Sequence, residues 1–316
     1  MRTQRWTALL TAAVIAGFAV LAGCASGRET RAEIVVTTNI LGDVTREIVG
    51  GQAEVTVLMK PDSDPHSFGV SAQQAARLSR AALVVHNGLG LEEGVLRHVE
   101  AAKETGAAVL AVGEAADPIV YAAGAGDETA GRPDPHFWTD PRRMARAVGA
   151  IARHVVESVP GVDAEAIRRN AAAYRGKVEK LDAWMEAEFA AIPAGRRNLV
   201  TNHHVFGYFA ERFSFKVVGT VIPSGTTLAS PSASDLKSLV DAVRAAGVRT
   251  IFADSSHPDR LAKVLAAEAG LDVAVVPLFT ESLSTARKGA STYLDMMRSN
   301  TTAMVNGLVE KSARAQ

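Results

Sequence analysis

Short aliphatic runs alternate with longer stretches of helical spacing along most of the chain. Residues 33–39 (Glu-Ile-Val-Val-Thr-Thr-Asn) are β-branched without polar alternation, and predict a buried strand ended by a polar turn. Residues 43–49 predict a short helix closed by Gly50 and Gly51, and residues 55–59 a second strand. Helical spacing over 71–82 precedes an apolar run at 83–86, the third strand, and 91–105 is again helical before a fourth strand at 107–112. Strand and helix taking turns in this way predict a mostly parallel sheet covered on both faces.

The pattern then breaks. Residues 113–133 have no apolar periodicity and carry Gly113, Gly124, Gly126 and Gly131, which predicts a long loop. Asp140-Pro141 is a helix-start signal, and Pro160-Gly161 ends that helix near residue 158. Asp163 is an N-cap residue, after which Ile167, Tyr174, Val178, Leu181, Met185 and Phe189 keep one apolar stripe. No proline follows until Pro193, so the stripe predicts a helix of about 27 residues, roughly 40 Å at 1.5 Å per residue.

The alternation restarts beyond it. Strands are predicted at 198–201, 215–222, 250–253 and 273–276, with helices at 205–213 and 232–246, another between the last two strands, and a closing helix at 289–311. The predicted fold class is α/β, with two lobes that each hold a mostly parallel sheet flanked by helices, joined by one long helix. The predicted boundaries are 33–160 for the N-terminal lobe, 163–192 for the linking helix and 196–316 for the C-terminal lobe. No internal repeat of solenoid length is present.

The first residues follow a different rule. Arg2 and Arg5 precede an uncharged apolar run over 8–21, which ends in Leu21-Ala22-Gly23-Cys24. A charged start, a short apolar stretch and small residues at a cleavage site predict a signal peptide over 1–23. The run is short for a membrane span, which takes about 20 apolar residues. Leu-Ala-Gly-Cys resembles the bacterial lipobox, in which the cysteine becomes the lipidated first residue. Cys24 is thus predicted to anchor an otherwise soluble domain to the extracytoplasmic face of the cell membrane, with 24–32 as a tether. It is the only cysteine, so no intramolecular disulfide is possible.

Charge excludes some partners. Lys and Arg number 34 against 34 Asp and Glu, and loss of Arg2 and Arg5 with the leader tips the balance slightly negative. Neither a nucleic-acid footprint nor a polybasic membrane patch is implied.

The chemistry lies at strand ends and turns. Asp134-Pro135-His136-Phe137-Trp138 sets a histidine between a proline that fixes the backbone and an aromatic pair that can exclude water. A shorter echo, Asp64-Pro65-His66-Ser67-Phe68, follows the second predicted strand. His203 follows the first strand of the second lobe and Glu281 the last strand. Ligands of open α/β sheets bind outside the carboxyl ends of strands, so these positions point to one centre between the lobes. Three imidazoles and one carboxylate suit a divalent transition metal.

These residues carry a resemblance. Together with Asn87-Gly88-Leu89-Gly90-Leu91-Glu92, Thr201-Asn202-His203-His204-Val205-Phe206-Gly207-Tyr208-Phe209 and Phe279-Thr280-Glu281-Ser282-Leu283, the two Asp-Pro-His turns resemble the metal-binding lipoproteins of bacterial zinc and manganese ABC importers. The resemblance covers essentially the whole mature chain. It implies two α/β lobes joined by a long helix, a metal ion (zinc favoured, manganese the alternative) between them, and delivery of that ion to an ABC transporter permease. It places the four ligands at His66, His136, His203 and Glu281. The sequence departs from the family in three places: His204 stands where an aspartate is usual, Glu281 where the acid is commonly aspartate, and the loop over 113–133 lacks the histidines that zinc members often carry there. His203 is preferred to His204 because it matches position for position.

Two other functions compete, a metal-dependent hydrolase on the same ligands and a surface adhesin. The chain has no His-Glu-x-x-His helix and no Gly-x-Ser-x-Gly turn, so no catalytic residue is assigned. His86, His98, His154 and His257 lack partners at metal-ligand spacing, and Asp254, at a strand end, is a candidate to orient one of the imidazoles.

Overall fold

The computed structural model describes residues 31–121, 129–269 and 273–313. In the N-terminal lobe β1 (Glu33–Val36) lies between β2 (Glu54–Val57) and β3 (Leu83–His86), with β4 (Ala108–Ala111) beyond β3. In the C-terminal lobe β5 (Asn198–Thr201) lies between β6 (Lys216–Thr220) and β7 (Thr250–Asp254), with β8 (Ala274–Leu278) at the edge. Every pairing is parallel, and the two sheets have the same order, 2-1-3-4. Helices α1 (Asn39–Val49), α2 (Ala72–Leu78), α3 (Leu96–Glu104) and α4 (Val112–Ala115) belong to the first lobe. Helix α5 (Pro141–Ser158) leads to the long α6 (Ala164–Ala190), and α7 (Gly207–Phe213), α8 (Ala233–Ala245), α9 (Arg260–Ala269) and α10 (Tyr293–Ala313) follow.

Strand alternation divides the core. Ile34, Val36, Leu83 and Val85 face one way into a large apolar cluster, while Val35 and Val84 face the other way towards Leu78 and Val99. The second sheet does the same, with Leu199 and Phe252 in the large cluster and Val200, Ile251 and Ala253 packed on Val240 and Leu265. The large cluster runs without a break from the first lobe through Ile167, Val178, Leu181 and Phe189 of α6 to Phe209 and Tyr293. The lobes therefore share one apolar core on the side of the long helix.

Helix α6 has 27 residues, as its stripe predicts, and Asp163 caps it by accepting the N–H groups of Glu165 at 2.9 Å and Ala166 at 3.2 Å. Near its C-terminus, Phe189 packs edge-on against Phe209, Phe213 and Phe215 at 5.1–5.3 Å between ring centroids. Two turns earlier, buried Asp182 accepts two bonds from Arg212 of α7, at 2.8 and 2.7 Å, and one from Nε of Arg142 in α5 at 3.1 Å.

Several boundaries differ from the expectation. Helix α1 starts at Asn39, not 43, because the Asn39 side chain is anchored to Ser282 and Leu283 far along the chain. Helix α3 starts at Leu96, not 91: the Glu92 carboxylate accepts the N–H groups of Asn87 at 2.7 Å and Gly88 at 3.2 Å, and holds the segment before the helix as a turn. Helix α2 stops at Leu78. The loop expected over 113–133 opens with the turn of α4, and Val120 pairs with Pro133 in an antiparallel bridge. Residues 122–128 of that loop, and the leader and Cys24, lie outside the described residues.

Candidate metal centre

The two Asp-Pro-His turns are built alike. Oδ1 of Asp64 accepts the backbone N–H of His66 at 2.9 Å, and Oδ1 of Asp134 accepts that of His136 at the same distance. The proline between fixes φ, so aspartate and proline together leave the histidine one direction in which to leave the turn. At the second turn Asp134 does more. Its Oδ1 lies 2.7 Å from His136 Nδ1, which makes Nδ1 the donor and turns Nε2 inward as a lone pair. The Tyr208 hydroxyl holds the Asp134 carbonyl at 2.6 Å, and a Cβ on Gly207 would lie 2.6 Å from Asp134 Oδ2. Glycine at 207 is what lets α7 start this close to the turn.

Glu281 sits on a segment pinned from both sides. Asn300 exchanges two bonds with the Phe279 backbone at 2.9 and 2.8 Å, and Asn39 accepts the Leu283 N–H at 2.9 Å. Trp138, two residues after His136, donates its indole N–H to the Thr280 carbonyl at 2.9 Å, and its ring lies 5.2 Å from that of His136. His203 leaves β5 two residues after the strand ends, with its carbonyl bonded to the Thr201 hydroxyl at 2.9 Å.

These segments bring His66, His136, His203 and Glu281 together, with one donor atom of each within 4.8 Å of every other. His136 and His203 are 0% exposed, Glu281 1% and His66 2%. Nε2 of His66 and His136 stand 3.4 Å apart, and Glu281 oxygens lie 3.1 Å from His203 Nε2, 3.6 Å from His136 Nε2 and 3.8 Å from His66 Nε2. A tetrahedral shell with bonds of about 2.0–2.1 Å sets its donors roughly 3.3 Å apart. Both Glu281 oxygens and both ring nitrogens of His203 are buried without an aligned hydrogen-bond partner among the described residues. Burying such groups unpaired is costly, and a cation at their centre would satisfy them together.

Burial also sets their protonation. It pushes the Glu281 carboxyl up to about 8, against the pull of His136, and holds His203 down at about 4. Burial and the neighbouring His136 and His203 rings lower His66 as well. Neutral His66 and His203 offer lone pairs with no proton to displace.

The other histidines divide. His204 points away from the four donors, with Nε2 3.5 Å from the Thr220 hydroxyl and its ring beside Tyr121. His154 bonds the Ala150 carbonyl through Nδ1 at 3.0 Å. His257 lies outside the four-donor group, as expected, and its Nε2 stands 3.3 Å from Asp64 Oδ2, an ion-pair distance without hydrogen-bond alignment. Asp254 does not orient an imidazole. Its carboxylate accepts the hydroxyls of Ser256 and Thr280, and so steadies the residue before Glu281. The orienting acid is Asp134, and the signal for it was its place two residues before the histidine.

Residues 34–307 match the ZnuA family, described as zinc-uptake complex component A, periplasmic. The chain belongs to this family. Among ZnuA-family relatives, the manganese ABC transporter substrate-binding lipoprotein PsaA of Streptococcus mitis is 28% identical over 301 residues, which is 92% of this chain and 95% of that protein. The periplasmic zinc binding protein TroA from Treponema pallidum superposes with a TM-score of 0.79 at 27% identity, over 88% of this chain and 99% of that one. The Mn-bound periplasmic metal binding protein from Candidatus Liberibacter asiaticus superposes with a TM-score of 0.77 at 26% identity, over 88% and 100%. The resemblance carried by the motifs and the two-lobed fold it implies both hold.

Proposed function

We propose that this chain is the extracytoplasmic substrate-binding component of a metal ABC importer. It captures one divalent transition-metal ion between its lobes, with His66, His136, His203 and Glu281 as ligands, and delivers it to the permease. The observation that carries this reading is the convergence of four buried, unpaired donors on one point, at the spacing of a four-coordinate shell. Charge agrees. The Glu281 carboxylate offsets one unit of a divalent cation, and Asp134, bonded to His136, brings a second.

Three nitrogens and one oxygen at this spacing favour zinc, which also outranks manganese in intrinsic affinity for such donors. Relatives are named for both metals. Four protein ligands with almost no exposure leave no open coordination position for a substrate, which weighs against a hydrolase. The deciding experiment is metal analysis of protein purified from its native envelope, with growth of a deletion strain under zinc or manganese limitation. A metal-free native protein, or a deletion strain that grows normally under both limitations, would sink the reading.

Lipidation of Cys24 is supported by relatives named as lipoproteins. Among the described residues no helix is long and apolar enough to cross a membrane. Release of the Cys24→Ser protein from washed membranes tests the anchor, and full retention would refute it.

A further inference from the structure

Two side chains of the C-terminal lobe converge on one carboxylate of the N-terminal lobe at the rim of the four-donor pocket. Asp64 Oδ2 accepts the Thr227 hydroxyl at 2.6 Å and lies 3.3 Å from His257 Nε2. Asp64 Oδ1 is the atom that accepts the backbone N–H of His66. Thr227 belongs to the connection between β6 and α8, residues 221–232, and His257 to the connection between β7 and α9. Asp64 is 8% exposed, so water competes poorly for its carboxylate. Its two oxygens accept from both sides, Oδ1 from the His66 N–H and Oδ2 from the Thr227 hydroxyl.

A second contact joins the same connection to the other Asp-Pro-His turn. The Tyr121 hydroxyl lies 3.3 Å from His136 Nδ1 and donates to the Gly225 carbonyl at 3.5 Å. A Cβ on Gly225 would stand 2.5 Å from that hydroxyl, so only glycine admits the approach. Residues 221–232 thus meet the first lobe at two points, each one bond away from a histidine donor.

We propose that Asp64 is the keeper of an interlobe latch, in which Thr227 and His257 bind the same carboxylate that aims His66. Closing the 221–232 connection over the pocket and orienting His66 are then one event. Asp64 acts here as a positioning residue. The latch rests on the reading of the pocket as a metal site. It adds to that reading a control on release, because the ion leaves only after the Thr227 bond breaks. A hydrogen bond to an ionised acceptor changes an equilibrium by about ten- to a hundredfold.

The test uses Thr227→Val, which keeps the shape and removes the donor, and Thr227→Ser, which restores the donor. Zinc-loaded protein is mixed with a chelator and release is followed in time, and hydrogen exchange is read over residues 221–232 of the metal-free protein. Thr227→Val should release zinc at least about tenfold faster and exchange faster over this connection, with Thr227→Ser at wild-type values in both. The metal-free Thr227→Val protein should also melt lower, and Thr227→Ser should restore the wild-type melting temperature. Unchanged release or unchanged exchange in Thr227→Val, or a serine variant as fast as the valine one, overturns the latch. If wild-type protein takes up no zinc, the pocket reading fails by itself and the exchange comparison still decides the latch.

Discussion

Oδ1 of Asp134 accepts two protons from the same residue, the backbone N–H of His136 at 2.9 Å and its ring Nδ1–H at 2.7 Å. One oxygen thus sets the turn and the tautomer of the histidine it precedes. Asp134→Asn keeps the shape but removes the charge and allows the amide to present its N–H side to the ring. Loss of a carboxylate in this role commonly costs 10- to 100-fold in metal affinity. Chelator competition should show a loss of about that size in Asp134→Asn, whereas Asp254→Asn should weaken binding less because it acts through Thr280. An equal loss at both positions would contradict the assignment.

The four donors should behave unequally from their neighbours. His66→Ala, His136→Ala and His203→Ala should each weaken metal binding by on the order of a hundredfold or more, since each removes one of four ligands from a site type whose total binding free energy is about 10–16 kcal/mol. His204→Ala should cost much less, because its Nε2 is turned to Thr220. Glu281→Gln should keep the fold and lose the charge that balances the cation. Titration calorimetry on the five variants reads this directly, and a His204 effect as large as that at His203 would move the ligand by one residue.

The buried carboxyl makes metal uptake depend on pH. Glu281 titrates at about 8 in the folded metal-free protein, against 4.5 for the free side chain. Metal must displace that proton, so affinity should rise with pH up to about 8 and then level off. About one proton should be released per ion near neutrality, read by calorimetry in buffers of different ionisation enthalpy. Stability of the metal-free protein should run the other way. Between 4.5 and 8 the folded state holds a proton on Glu281 that the unfolded state has lost, so this contribution falls as pH rises. His203, lowered from 6.5 to about 4, opposes it only between those two values, where its contribution is lost as pH falls. From pH 6.5 to 8 Glu281 acts without that opposition, and the melting temperature without metal should decline. A melting temperature that climbs across this window would be inconsistent with a protonated Glu281.

Much of this was legible in the chain. The pattern places strand 83–86 to the residue at β3 and α6 to within two residues at either end, because an unbroken stripe and a capping aspartate are local signals. The convergence of His66, His136, His203 and Glu281 is legible because each sits at a strand end or in a proline-fixed turn. What was not legible depends on residues distant in sequence. Asn39 starts α1 early through bonds to Ser282 and Leu283, and His257 gains a partner only because Asp64 comes from the other lobe. Asp254 looked like an orienting acid from its place at a strand end, yet Thr280 and Ser256 take both its oxygens.

Asp182 holds together the helices that follow His136 and His203. Arg212 grips both its oxygens, and Arg142 adds a third bond from α5. Removal of one partner from a buried pair commonly costs about 3–5 kcal/mol, because the other charge is left behind. Arg142 is largely exposed and Arg212 keeps Glu186, so Asp182→Ala should fall at or below the low end. Denaturant unfolding of the metal-free protein measures this, and a change under about 0.5 kcal/mol, the size of an ordinary surface substitution, would show that the joint is slack.

The long helix limits how the pocket can open. A continuous helix bends only at a defect such as proline, and α6 has none, with Gly176 as its mildest point. The apolar core runs along it from one lobe to the other, and on that side Asn39 holds Ser282 and Trp138 holds Thr280. Wide hinge opening would have to part that core and break these bonds together. Residues 221–232 are tied to the first lobe more lightly, by the Asp64 and Tyr121 contacts. Release should therefore need a small tilt and movement of that connection, not separation of the lobes. Small-angle scattering should give nearly equal radii of gyration with and without metal, while hydrogen exchange differs chiefly over 221–232 and the His203 turn. A radius that grows on metal removal by the amount expected for lobes swinging apart would exclude the stiff-helix mechanism.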